Sequence, residues 1–395
     1  MHILMVLDLN FPTDTRVENE ALSLIEAGFS VSVLTIAPDT RPPVETYRGI
    51  TIYRAGISRT VRDKMRGLAG TVPLYSWYLR NKILSLYKQV RFDVLHMHDL
   101  YMVEGGLWAK EKLNIPVVAD LHENYVHALK HYAWSSRFPA RYLISIPRWE
   151  RLEKKWVNQA DRVIVVIEEA AERNRKLGVP AGNLTVVPNT INLPAFESYP
   201  VDPVIPERYK KHYVLVYTGV FDVHRGLASV LEGLPRIIKA KPETKLLLIG
   251  DGRIRPELEA RVRDMDLSAH VSFEGWQPQE RLKGYIAAAD ICLIPHLKTE
   301  HTDATIPHKL FHYMYMEKPV LASNCEPLKR IIEQEDAGLI YPAGDSDAFA
   351  AAVLEMAGSP DTYRQKGIKG AQAVHTSYNW EATSKNLIGM YRQLL

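Results

Sequence analysis

An α/β protein built from two doubly wound, Rossmann-like domains facing across a cleft is the architecture predicted by this sequence, on three observations. Short apolar, β-branched runs alternate with segments of helical periodicity along the whole chain. That is the pattern of βαβ units, which build a parallel sheet covered by helices. The alternation halts once, in the proline-rich stretch from Pro188 to Pro206, and then starts again. A length of 395 residues is long for one domain and suits two of roughly 190.

In the first half, strands are expected at Ile3–Leu7, Val31–Ile36, Ile50–Tyr53, Asp93–His96, Val117–Asp120, Val163–Val166 and Leu184–Val187. Helices are expected near Val17–Ala27, stopped by Gly28, and near Val103–Leu113. In the second half the strands are Val214–Tyr217, Lys245–Ile249, Val271–Phe273, Ile291–Ile294, Val320–Ala322 and Gly338–Ile340. These elements give domains at 1–190 and 207–378, a linker at 191–206 and a last helix at 379–395.

A net charge of +3 is too small to argue for nucleic acid as a partner. The two cysteines, Cys292 and Cys325, sit in apolar segments with no metal-like spacing, which fits a reduced, cytoplasmic setting. The apolar start MHILMVLDLN lacks a basic leader and reads as a first strand, and no apolar run is long enough to span a membrane.

In open α/β sheets, ligands bind beyond the carboxyl ends of the strands, and the loops there carry the chemistry. After Val214–Tyr217 come Thr218-Gly219 and then Arg225-Gly226 opening a helix. A glycine turn, free N–H groups at a helix start and a cation make an anion site. Pro295–His308 leads to Thr305-Ile306-Pro307 and Lys309, a second helix start with a second cation. Two such starts suit a diphosphate. Gly250-Asp251-Gly252 is a tight turn that either lets the backbone approach a ligand or is a turn and nothing more. Glu274-Gly275-Trp276 offers backbone to a nucleobase, with Trp276 as a wall or a surface aromatic.

On the other half, His98-Asp99 and His122-Glu123 end strands, where a site role and a structural imidazole–carboxylate pair are both open. Asp14 and Arg16 follow the first strand, near where an acceptor or donor phosphate would come. His96 and His98 alternate on one strand face, but no third ligand stands at local spacing, so no metal is expected. Asp264-Met265-Asp266 reads as solvated surface.

In order and spacing these segments resemble the retaining glycosyltransferases of family 4, which have the GT-B fold. The residues that carry the resemblance begin with Phe92-Asp93-Val94-Leu95-His96-Met97-His98-Asp99-Leu100 and Asp120-Leu121-His122-Glu123-Asn124-Tyr125. They continue through Val187-Pro188-Asn189-Thr190, Tyr217-Thr218-Gly219, Arg225-Gly226-Leu227 and Leu247 to Gly252. Gly275, Ala288-Ala289-Asp290, Pro307 to Met314 and Lys318-Pro319-Val320 complete the set.

The resemblance implies that Arg225 binds the donor diphosphate, that His122 contacts the transferred sugar, and that Gly250 and Gly275 line the nucleotide pocket, with Gly219 and Gly226 of the glycine turn as further donor-binding candidates. Backbone N–H groups near Thr305 and Leu310 would meet phosphate oxygens, and the last helix would cross back to the first domain. The family's usual glutamate pair reads Ala304 and His312 here, and a common basic residue reads Val220. Asp303 and His312 are the nearest polar substitutes.

The function so implied is metal-independent, retaining transfer from a nucleotide diphosphate sugar, a UDP-sugar ahead of a GDP-sugar, to a carbohydrate or lipid-linked acceptor. A non-catalytic nucleotide-sugar or partner-binding protein of the same fold, or a sugar-nucleotide epimerase, is the alternative. Two stretches, Arg62 to Lys82 and Lys130 to Lys155, mix cations with aromatics. They suit an anionic membrane surface, or helices packing their aromatics inward.

Overall fold

The structure, a computed structural model, describes residues 1–131 and 144–394. The chain forms two compact units: Met1–Asn189 with Thr383–Leu395, and Thr190–Ala382.

Unit 1 is an eight-stranded sheet of β1 (His2–Leu7), β2 (Ser30–Thr35), β3 (Val44–Tyr47), β4 (Ile50–Arg54), β5 (Val94–His98), β6 (Val117–Leu121), β7 (Arg162–Val165) and β8 (Leu184–Val186). The order is β3-β4-β2-β1-β5-β6-β7-β8, parallel except for the antiparallel β3–β4 hairpin. The order reverses between β1 and β5, so the loops after Leu7 and His98 flank the switch point. β3, unforeseen from the sequence, is an edge strand that is half exposed throughout, and it lacks the buried alternation that marks a strand.

Unit 2 holds β9 (Tyr213–Thr218), β10 (Thr244–Ile249), β11 (Val271–Gly275), β12 (Ile291–Ile294), β13 (Val320–Ser323) and β14 (Gly338–Tyr341). Its order is β11-β10-β9-β12-β13-β14, parallel throughout. The switch point lies between β9 and β12. Leu215, Val216, Leu247, Leu248, Cys292 and Leu293 are fully buried, so both faces of the central strands are covered.

The proline-rich stretch expected as a linker is folded into unit 2. Short helices span Leu193–Glu197 and Val204–Tyr209, and Phe196, Ile205 and Tyr209 enter the core of that unit. Asn192 caps the first of them through Ala195 N–H, and Pro194 sits in its first turn. These prolines start helices instead of keeping the chain extended. The last helix, Trp380–Arg392, buries Leu387, Met390 and Tyr391, and from Thr383 it belongs to unit 1.

The first basic and aromatic stretch forms the helices Arg59–Gly67 and Leu74–Gln89. Arg62 and Arg66 turn to the buried Asp8, at 3.4 and 3.5 Å, and Tyr75 is fully buried while Trp77 stays exposed. In the second, Tyr132, Trp134, Arg137, Phe138, Arg141 and Tyr142 lie outside the described residues. The helix Ile146–Gln159 buries Trp149 and Trp156 and leaves Arg148, Arg151, Lys154 and Lys155 in solvent. Asp264 and Asp266 are exposed, as expected.

Candidate active site

In unit 2 the polypeptide leaves β9 through Gly219 (φ +132°), whose N–H donates to Ile249 O at 2.8 Å. Gly250 (φ +134°) lies against it so closely that a Cβ there would come within 2.0 Å of Gly219 O. Thr218 is pinned from below, its N–H donating to the buried Tyr313 hydroxyl at 2.9 Å. One 3-10 turn, Val223–Arg225, then leads through Gly226 (φ +69°) into the helix Leu227–Ala240. A Cβ on Gly226 would sit 1.8 Å from Pro295 O, in the loop after β12. The two loops at the switch point are therefore interlocked, and Leu297 N–H donates to His224 O at 2.9 Å. Gly226→Ala is expected to destabilise unit 2 by well over the about 1 kcal/mol of an ordinary glycine replacement, read as a lowered midpoint in chemical denaturation.

This interlock places the two cations predicted from the sequence. Arg225 Nη1 donates to His296 Nε2 at 2.9 Å. Lys309 Nζ stands 3.8 Å over the Tyr217 ring, above Gly219. Lys309 Nζ and Arg225 Nε are shielded from solvent and have no hydrogen-bond acceptor. Among the described residues no carboxylate pairs with either one. Burial, and then Arg225, hold the Lys309 ammonium well below its usual pKa. Uncompensated positive charge at the end of a parallel strand is a site for a polyanion.

The other expected donor residues are distributed around this point. Gly275 (φ +68°) accepts from Gly250 N–H at 2.8 Å, and Trp276 beyond it is 67% exposed. Leu310 is buried in the helix Lys309–Tyr315, and Thr305 Oγ1 donates to His301 O at 3.2 Å. Asp303 is committed elsewhere: Oδ1 accepts from Glu326 N–H at 2.9 Å, at the start of the helix Glu326–Gln334. The ring of His312 stacks on Phe196 at 4.6 Å. Burial, and then His308, push its pKa down to about 3, so the imidazole is neutral.

In unit 1 the strand ends β5 and β6 build a buried polar cluster with Asp120 at its centre. Asp120 Oδ1 accepts from Arg16 Nη2 at 3.1 Å. Its Oδ2 faces three imidazoles: His122 Nε2 at 2.9 Å, His98 Nδ1 at 3.2 Å and His96 Nε2 at 3.5 Å. His96 Nδ1 is bonded to the Tyr391 hydroxyl at 2.7 Å, and the His96 and His98 rings stack at 4.3 Å.

Burial opposes charge on His122, but Asp120 and Asp99 outweigh it and raise its pKa to about 9. Burial, and then the neighbouring His96, push His98 down to about 3. Burial works against charge on Asp120 too, but Arg16 and His122 hold it well below the usual carboxylate range. Burial, reinforced by Asp120, lifts Glu20 to about 8. His122 is an imidazolium at neutral pH and keeps 21% of its side chain exposed.

Asp99, beside it, holds φ +70°, an uncommon conformation for a residue with a Cβ. Its Oδ2 accepts from Tyr101 at 3.1 Å and its Oδ1 lies 3.8 Å from His122 Nδ1. His98 lies beneath His122 and is 1% exposed, so it does not face an acceptor. Glu123 follows, half exposed.

Arg16 also departs from expectation. Its guanidinium turns inward to Asp120, to Glu20 at 3.0 Å and to Val187 O at 2.9 Å, and its charge is consumed there. Asp14 caps the helix Thr15–Glu26 through Arg16 and Val17 N–H, and with Asn10, Arg59 and Arg62 it lines a cavity of about 660 Å³. Local spacing offered no third metal ligand, yet the fold brings Glu20 and Asp120 to His96 and His98, with ligand atoms within 4.8 Å. Arg16 supplies the positive charge at that spot. Glu20, Tyr391 and His296 went unnoticed in the sequence, and Asp120 was noted only as part of a family-like segment, because each gains its partner through the fold.

Residues 14–194 match the model described as Glycosyltransferase Family 4, and residues 212–359 match the one described as Glycosyl transferases group 1. This chain belongs to family 4 of the glycosyltransferases. It is 23% identical to a phosphatidyl-myo-inositol mannosyltransferase of Mycolicibacterium smegmatis, over 99% of this chain and 93% of the relative. A D-inositol 3-phosphate glycosyltransferase of Thermobispora bispora is 24% identical, over 95% and 88%.

Among solved structures, sucrose-phosphate synthase of Thermosynechococcus elongatus superposes with a TM-score of 0.78 at 21% identity, covering 100% of this chain and 98% of that one. Anabaena HepE, in complex with UDP, gives 0.72 at 13% identity, with full coverage of both chains. The family 4 glycosyltransferase described here thus has the GT-B fold, and its activity is glycosyl transfer.

Proposed function

We propose that this glycosyltransferase moves a sugar from a nucleoside diphosphate sugar, a UDP-sugar ahead of a GDP-sugar, to a carbohydrate or lipid-linked acceptor. The transfer retains the anomeric configuration and uses no metal. The observation that carries the donor assignment is the unpaired Arg225 and Lys309 pair at the unit 2 switch point. As the bond from the anomeric carbon to the β-phosphate oxygen breaks, negative charge builds on that phosphate. Fixed cations in a water-poor site stabilise it in the way a divalent ion does elsewhere. The acceptor oxygen bonds to the anomeric carbon on the same face, and its proton passes to the departing phosphate oxygen, so no protein base is required. His122, an imidazolium held by Asp120, keeps the sugar-facing role implied by the family resemblance.

Two relatives take inositol-based acceptors by name, which favours a phosphorylated polyol or a lipid that carries one. A lipid acceptor would place the protein peripherally on the inner face of the plasma membrane. The exposed Arg148, Arg151, Lys154 and Lys155 fit an anionic surface. Among the described residues no helix is long and apolar enough to cross a membrane.

The test is transfer from UDP- and GDP-sugars, with proton NMR of the product and with chelator added. Retention and undiminished turnover in EDTA are expected; an inverted product or loss of turnover would sink the mechanism. Co-sedimentation with phosphatidylserine vesicles, lost on reversing the four cations, is the expected mark of surface binding.

A further inference from the structure

The protein holds two arginines at strand-end switch points in opposite ways. Arg16 in unit 1 is gripped by Asp120 and Glu20: the Asp120 carboxylate cancels its charge, and both side chains fix its position. Arg225 in unit 2 is gripped by His296. From this contrast we infer that His296 is a positioning residue for the donor diphosphate: a neutral acceptor that orients the Arg225 guanidinium without discharging it. The inference rests on the donor reading given above.

The geometry requires a single tautomer. An arginine N–H can only donate, so His296 Nε2 accepts and the ring proton resides on Nδ1. His296 is 2% exposed and follows β12 directly, in the loop whose Pro295 carbonyl blocks any side chain at Gly226. The acceptor and the arginine turn are therefore fixed to each other by backbone. Around the ring stand Arg225, Lys309, His224 and His301, and together with burial they keep its pKa well below the ordinary histidine value. Asp222, 3.4 Å from His224 Nδ1, is also held by Arg253 at 3.1 Å. With Nη1 anchored, Nε and Nη2 are turned to a fixed direction, and the full positive charge is left for a ligand.

The alternative devices are each worse at one task. A carboxylate at 296 would hold Arg225 as firmly but would form a salt bridge that competes with the phosphate. An apolar side chain would leave the charge intact but release the guanidinium into several rotamers, which binding must then freeze.

Three substitutions separate orientation from charge: His296→Gln, a neutral acceptor; His296→Glu, a charged one; and His296→Leu, none. The measurement is calorimetric affinity for UDP and for inorganic diphosphate, which carries no base, with thermal unfolding of each protein as the folding control. The Gln variant is expected to bind within a few-fold of wild type, and the Glu and Leu variants to be weaker by about tenfold or more. His296→Asn replaces the Gln variant if that protein fails to fold. Between pH 8 and 6 the wild-type and Gln proteins should follow the same affinity profile, since a neutral His296 has no charge to change there. Equal binding by the Gln and Leu variants would show that His296 orients nothing. Full affinity in the Glu variant would overturn the charge half of the inference. If wild type binds neither UDP nor diphosphate, the donor reading itself has failed, an outcome distinct from both.

Discussion

Replacing Arg225 by alanine is expected to weaken nucleoside diphosphate binding by about tenfold or more, the loss of one charge-assisted contact of about 1.5–3 kcal/mol. Calorimetric titration of the wild type and the variant with UDP, GDP and ADP reads the effect and names the base. The contribution is large because the guanidinium is pre-placed: His296 holds one nitrogen at 2.9 Å, and Nε has no other acceptor. Lys309→Met should lose affinity comparably. Its Nζ rests on the Tyr217 ring with no carboxylate, so removing it strands nothing and the protein should stay folded. Unchanged affinity in both variants would put the diphosphate somewhere other than the β9–β12 switch point.

Asp120→Asn is the second large effect, and it falls on stability. Asp120 is fully buried and is shared by Arg16 and His122. Removing its charge leaves a buried guanidinium only partly compensated, at a cost of about 3–5 kcal/mol. The unit 1 transition in guanidinium denaturation should move down by that amount, and NMR titration should find the His122 pKa falling from about 9 toward 6.5.

The pH dependence of the wild type follows in sign. His122 has its folded pKa raised, so its contribution is whole below about pH 6.5 and is lost as pH rises through about 9. Glu20, raised to about 8, loses its contribution from its ordinary carboxylate value upward, but His98, pushed down to about 3, gains one up to about pH 6.5 and offsets that loss until His122 begins to lose its own. Asp120 has its folded pKa depressed, so its contribution is present above the ordinary carboxylate range and is lost as pH falls below it. Unit 1 is therefore expected to be most stable between about pH 5 and 6.5. A stability maximum above pH 8 would mean that His122 is not an imidazolium in the folded protein.

The sheets were legible in the sequence because buried parallel strands are continuous apolar runs. Val214–Tyr217, Ile291–Ile294 and Val320–Ala322 are apolar almost throughout and sit at or near the centre of their sheet. Edge strand β3 has exposed or half-exposed side chains along its whole length and left no such mark. The prolines of 188–206 pointed to an extended linker, since nothing local distinguishes a proline that opens a helix from one that keeps a chain straight.

That Gly219, Arg225 and Lys309 gather at one strand end was legible because a glycine turn and a cation at a strand end are local features. Arg16 was misjudged for the opposite reason: what consumes its charge is Asp120, more than a hundred positions on. His98 met the strand-end rule but lies under His122, a distinction that depends on which side chain the fold sets on top.

The order in which the polypeptide is made bears on unit 1 alone. Its last piece, from Thr383, is synthesised after the whole of Thr190–Ala382, which takes roughly 10–40 s at about 5–20 residues per second. Through that interval the nascent first unit lacks Leu387, Met390 and Tyr391, all buried in the finished protein, and His96 lacks its hydroxyl partner. Unit 2 emerges complete and is free to fold while its older neighbour waits on the ribosome with an apolar face uncovered. Chaperone dependence, aggregation during expression and sensitivity to trimming of the last dozen residues should therefore fall on the unit that is translated first.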